Sequence, residues 1–135
     1  MTDDSKNYNE IEDEINSALA DSRGLLVHKR RLAFCLSSGI AELLEKYLQK
    51  KKVLKVGYKI NHQTLGRSRE NVKVALADKI TAPIDSLDKL DRILDIANKI
   101  ESTRNIWAYG GKASEEDIME AINLFLEIKK EVEND

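Results

Sequence analysis

The chain's only tryptophan lies in a run of residues with chemical reach, Glu101-Ser102-Thr103-Arg104-Asn105-Ile106-Trp107-Ala108-Tyr109-Gly110. Arg104 can fork two donors onto a phosphate, and Asn105 beside it can donate or accept. Tyr109 adds a hydroxyl and a ring face that can hydrogen-bond or stack. A purely structural reading stands beside this one: Arg104 pairs with Glu101 one turn earlier, while Ile106, Trp107 and Tyr109 fill the core. Other chemistry is poorly represented. No phosphate-cradling glycine loop, paired-carboxylate site or nucleophile motif is present, and Asp91 and Asp95, with Lys89, Arg92 and Lys99 nearby, read as surface ion pairing. One Cys and two His are too few for the usual zinc site, so no metal and no cofactor are expected.

Charge is distributed unevenly along the chain, although the net charge is only −2. Residues 1–24 hold seven acids and two bases, and residues 115–135 hold eight acids and two bases. Between them, residues 46–79 carry ten bases against two acids. Such a segment either meets phosphate or packs against the acidic ends, within one chain or across a dimer. The candidates for phosphate contact are Lys50, Lys51, Lys52, Lys55, Lys59, Arg67 and Arg69. Tyr47 and Tyr58 are the only aromatics there, so a base-stacking platform is not indicated.

The elements that would position these groups read as helices. The 135 residues bound a single domain over 1–135, and 41% hydrophobic residues exclude a disordered chain. Ile11, Ile15, Ala18 and Leu19 make one helical stripe after a flexible terminus over 1–8. Gly24 breaks the pattern, and a long helix is expected over about 25–50, with Cys35 a buried small hydrophobe and Gly39 a point of close helix contact. Residues 51–68 stay ambiguous between a frayed helix end, an extended piece and a functional loop. Val72, Ala75, Leu76 and Ile80 suggest a short helix that stops before Pro83. Asp85, Ser86 and Asp88 offer capping oxygens to a helix whose stripe runs from Leu87 to Ile100, and Ser114 with Glu115, Glu116 and Asp117 opens the last helix. The fold expected is an all-α antiparallel bundle of four to five helices. The acidic, polar N-terminus and the absence of an eighteen-residue apolar run predict a cytoplasmic protein without a membrane span.

Arg104-Asn105, followed by Tyr109-Gly110 just before an acid-capped final helix, resembles the motif of the HEPN superfamily: Arg, a polar residue, then four to six positions to a His. The resemblance extends over about residues 25–133. It implies a small helical domain, a homodimer, and either a metal-independent ribonuclease or the toxin partner of a minimal nucleotidyltransferase. It also implies RNA as the polyanion for the basic segment, and Arg104, Asn105 and Tyr109 as the site. Tyr109 stands where the family has His. A tyrosine of ordinary pKa, about 10, is ionised in about one molecule in a thousand at neutral pH, a poor supply of general base. The expectation is therefore an interaction module with a degenerate site, binding RNA or a nucleotidyltransferase-type protein. The alternative is an active endoribonuclease in which Tyr109, His28 or His62 supplies the base. Arg23 and His28 repeat the Arg-to-His spacing, but between the first two helices and with Gly24 after the Arg.

Overall fold

A computed structural model of the chain describes residues 3–134, with side chains from Glu10 onward. Among the described residues six α-helices form: α1 Asp3–Ala20, α2 Lys29–Lys50, α3 His62–Leu65, α4 Arg69–Ala77, α5 Leu90–Ala108 and α6 Glu115–Glu133. No strand forms among the described residues; one isolated antiparallel bridge joins Leu54 to Ile80. The all-α bundle is as expected, with one more helix than the upper count. Of the stretch 1–8, Asp3 onward lies in α1, while Met1 and Thr2 fall outside the described residues.

Helix α2 is the axle of the bundle. It shares its largest interface with α5 and also packs on α1, α6 and α3. Three contacts fix α2 and α5 as antiparallel: Phe34 meets Arg104, Ser37 meets Glu101, and the Tyr47 hydroxyl meets Asp88 and the Lys89 N–H. Leu32, Leu36, Ile40, Leu43, Leu44 and Leu48 of α2 are fully enclosed, as are Ile93 and Ala97 of α5 and Ile118, Ile122 and Phe125 of α6. Gly39 permits this closeness, because a Cβ there would stand 2.8 Å from Phe125 Cε1. Burying these side chains supplies the main drive, roughly 25 cal/mol per Å² of apolar surface.

Several boundaries differ from expectation for identifiable reasons. Residues 25–28 form a 3-10 turn, and α2 proper begins at Lys29. Leu19 is exposed although Ile11, Ile15 and Ala18 are buried, so the first stripe is narrower than its sequence suggested. Helix α4 ends at Ala77, and Ile80 is buried instead through its bridge to Leu54. The oxygens of residues 85–88 do not cap α5, whose N-cap is Lys89. Ser86 Oγ donates to the Pro83 carbonyl, and Asp88 accepts from Tyr47. Asp91 and Asp95 pair across helices with Lys73 and Arg69, not with the neighbours on their own helix. The last helix behaves as its sequence indicates, with a reciprocal capping box between Ser114 and Asp117.

Residues 51–68 resolve into an irregular excursion closed by the four-residue α3. Lys52 takes the left-handed conformation, φ 60°, at the end of α2. The Val53 N–H then reaches the Leu48 carbonyl and the Lys52 N–H reaches that of Gln49, a Schellman ending built on a lysine. Lys55, Val56, Gly57, Tyr58 and Lys59 follow, all exposed, with Val56 completely so.

Candidate functional site

The run from Glu101 to Ala108 is helical, so the expected motif lies on the last turns of α5 and not in a linker between helices. Gly110 and Gly111 complete a second Schellman ending. Gly110 has φ 85°, and the Gly111 N–H donates to Ile106 O at 2.7 Å. Tyr109 occupies the C-cap and is 80% exposed. Trp107 is buried in the core, whereas Ile106 and Tyr109 point outward, so only one of the three proposed core plugs is one.

Arg104 does not pair with Glu101. Its guanidinium lies 5.0 Å over the ring of Phe34 on α2, and its Nη1 is 3.5 Å from Asn105 Oδ1. It makes no ion pair with a described residue. Glu101, one turn earlier, is 3% exposed. Its Oε1 accepts from the Ser37 hydroxyl, and its Oε2 lies 3.4 Å from His62 Nδ1. Two rungs therefore stand side by side on the α2–α5 seam, Phe34 with Arg104 and Ser37 with Glu101, and α3 adds His62 to the second.

The other candidates separate clearly. Arg23 is bound to Asp21 through its side chain and its N–H, and His28 is buried with Nδ1 toward Glu14 and Nε2 2.8 Å from Asp21. That Arg-to-His spacing is a structural staple joining α1 to the start of α2. The Arg23 side chain, its N–H and then His28 hold the Asp21 carboxyl well below the usual carboxylate range. Cys35 is partly buried against Ile11, and burial among Glu14, Glu42 and Glu10 pushes its thiol up to about 12, which leaves it protonated and inert.

Of the seven basic candidates, three are engaged. Lys50 donates to the carbonyls of Val132 and Glu133 at the end of α6, Lys51 faces Asp88, and Arg69 pairs with Asp95. Lys52, Lys55, Lys59 and Arg67 are exposed and make no ion pair with a described residue. Among the described residues, no carboxylate of the acidic ends pairs with these four bases. Acidic α6 instead pairs with α5 and α1, through Arg92 with Glu127 and Glu131, Lys99 with Glu120, and Lys129 with Glu12.

No family model, curated protein or solved structure matches this chain. Its chemistry must therefore be read from its own residues. A groove of about 450 Å³ between α1 and α2 is lined by Glu10, Glu14, Glu42 and Arg31, with Phe34 at its side, and its acidic lining does not suit phosphate. Among the described residues no group of three or more His, Cys, Asp or Glu is arranged to hold a metal ion, and no helix is long and apolar enough to cross a membrane.

Sequence reasoning missed Glu101, Ser37 and Phe34 as parts of one cluster. Glu101 carried a usable signal. It continues the stripe Leu90, Leu94, Ala97 at i+4, so a charged residue stands where the helix must be buried.

Proposed function

We propose that the chain is a HEPN-like helical interaction module that binds RNA, works as a homodimer and carries a degenerate nuclease site. The observation that supports it best is the set of four exposed bases, Lys52, Lys55, Lys59 and Arg67, without acidic partners among the described residues in a chain of net charge −2. Intramolecular pairing is the ordinary fate of such charges, and here Glu120, Glu127 and Glu131 of α6 pair with Lys99 and Arg92 of α5 instead. Arg104, without a carboxylate partner among the described residues and steadied on Phe34, adds a planar fork suited to a phosphate. Tyr109, turned to solvent at the end of α5, suits contact better than proton abstraction. A nucleotidyltransferase-type protein is the other partner that the resemblance implies.

Titration of a labelled RNA oligonucleotide onto the purified protein tests this reading. Saturable binding that weakens steeply with salt supports it. Absence of binding at low salt overturns it.

A second reading, an active metal-independent endoribonuclease, draws support from one contact. His62, with Nδ1 held by buried Glu101, has the arrangement of a general base. Cleavage that persists in a chelator and disappears in His62→Gln or Tyr109→Phe would favour it over the binding module.

A further inference from the structure

A carboxylate enclosed among helices costs free energy that an apolar residue of similar size would not. Glu101 occupies such a place, with its two oxygens engaged by Ser37 from α2 and His62 from α3. Packing gives no reason for an acid there. The reason lies on the far side of the imidazole. His62 is 31% exposed at its side chain, and its Nε2 makes no hydrogen bond with a described residue. The inner nitrogen is engaged and the outer one is open. Arg104 stands one turn along α5 from Glu101 and makes no ion pair with a described residue. The loop that follows α3 is pinned to α5 as well, since Asn98 Nδ2 donates to the carbonyls of Gly66 and Arg67.

We propose that His62, seated on Glu101, and Arg104 form a phosphate-binding site that works with the imidazole protonated. The ligand is the backbone phosphate of RNA, so the site rests on the RNA-binding reading above and adds pH control to it. In the imidazolium, Nδ1–H donates inward to Glu101 and Nε2–H donates outward to a phosphate oxygen, while the Arg104 guanidinium takes the same or the adjoining phosphate. Once the ring loses a proton, one N–H must serve two anions. Glu101 keeps it, and the Nε2 lone pair then meets the phosphate oxygen.

The other charged groups near α3 do not intervene. From α2, Ser37 is neutral and Glu45 accepts from the Ile60 N–H. From α4, Arg69 is turned to Asp95 and Glu70. Among the described residues Glu101 is the one carboxylate in contact with the ring.

The test is the affinity of a labelled single-stranded RNA at constant ionic strength, followed from about pH 5 to about pH 9. Affinity should fall about tenfold across that range, the scale of one charge-assisted hydrogen bond. His62→Gln should bind at the weaker level throughout, without the fall. Glu101→Gln, which keeps the shape and an acceptor for Ser37, should flatten the profile in the same way. If Glu101→Gln fails to fold, His62→Gln on the surface of the bundle still decides the matter. An affinity that does not change with pH, or a fall that survives in His62→Gln, overturns this site and leaves the RNA-binding reading standing. Absence of binding at both ends overturns both. RNA fragments that appear at about pH 8 and vanish in His62→Gln make the ring a base and overturn the phosphate clamp.

Discussion

The guanidinium of Arg104 on α5 lies 5.0 Å over the ring of Phe34 on α2. This contact replaces the ion pair with Glu101 that the spacing on one helix would suggest, and it leaves the charge without a carboxylate partner among the described residues. Both side chains are partly open, so the stacking itself contributes only about 0.5–1 kcal/mol to the fold. Arg104→Ala should therefore unfold in urea close to the unmodified protein. Its RNA affinity should drop by about 1.5–3 kcal/mol, the worth of a charge-assisted contact. A variant that loses stability but binds RNA unchanged makes Arg104 structural.

Gly39 allows α2 and α6 to touch. Alanine there would favour the helix by about 1 kcal/mol, but its methyl would stand 2.8 Å and 2.9 Å from two ring carbons of Phe125, which is fully buried and cannot swing away. Overpacking should prevail. Gly39→Ala is expected to lower the unfolding free energy by about 1–3 kcal/mol, measured by urea denaturation, and an equal or more stable variant would refute the close approach.

Lys52 bears a conformation that glycine bears more cheaply. Its φ of 60° closes the Schellman ending of α2 at the start of the exposed basic excursion. Lys52→Gly should raise stability by about 0.5–1 kcal/mol, after deducting the entropy glycine gains in the unfolded chain. The same variant should bind RNA more weakly. Greater stability without weaker binding would remove Lys52 from the RNA contact.

These two helix endings also show what sequence could and could not reveal. The end of α5 was legible because Gly110 and Gly111 mark it, and the start of α6 because Ser114 and Asp117 do. The end of α2 was not, since a lysine does a glycine's work there, and residues 51–68 stayed ambiguous as a result. The long apolar stripes specified the all-α bundle because burial follows the helical period. The site was harder to see. Phe34, Ser37, His62 and Glu101 come from three helices, and only the antiparallel register of α2 against α5, with α3 laid across it, brings them together. A charged residue on a buried stripe was the one local sign.

Acid should loosen the α1 staple. Folding lowers the pKa of Asp21, chiefly through Arg23 and then through His28. A group of that kind contributes its full stability above its unfolded value of about 3.9 and loses it as pH falls further. The urea midpoint should fall as the pH drops below about 4, and Asp21→Asn should show a shallower fall. The same slope in Asp21→Asn would mean that the staple does not govern acid sensitivity.

The most direct measurement is the salt dependence of RNA binding by the unmodified chain and by a variant combining Lys52→Ser, Lys55→Ser, Lys59→Ser and Arg67→Ser. All four side chains are exposed and make no ion pair with a described residue, so the variant should fold normally. Each phosphate contact to a single strand contributes a slope of about −0.7 in log affinity against log salt, so four contribute about −3. The unmodified chain should show a slope at least that steep, and the variant should lose about three units of it. Equal slopes, or no RNA binding by the unmodified chain at low salt, would contradict the account.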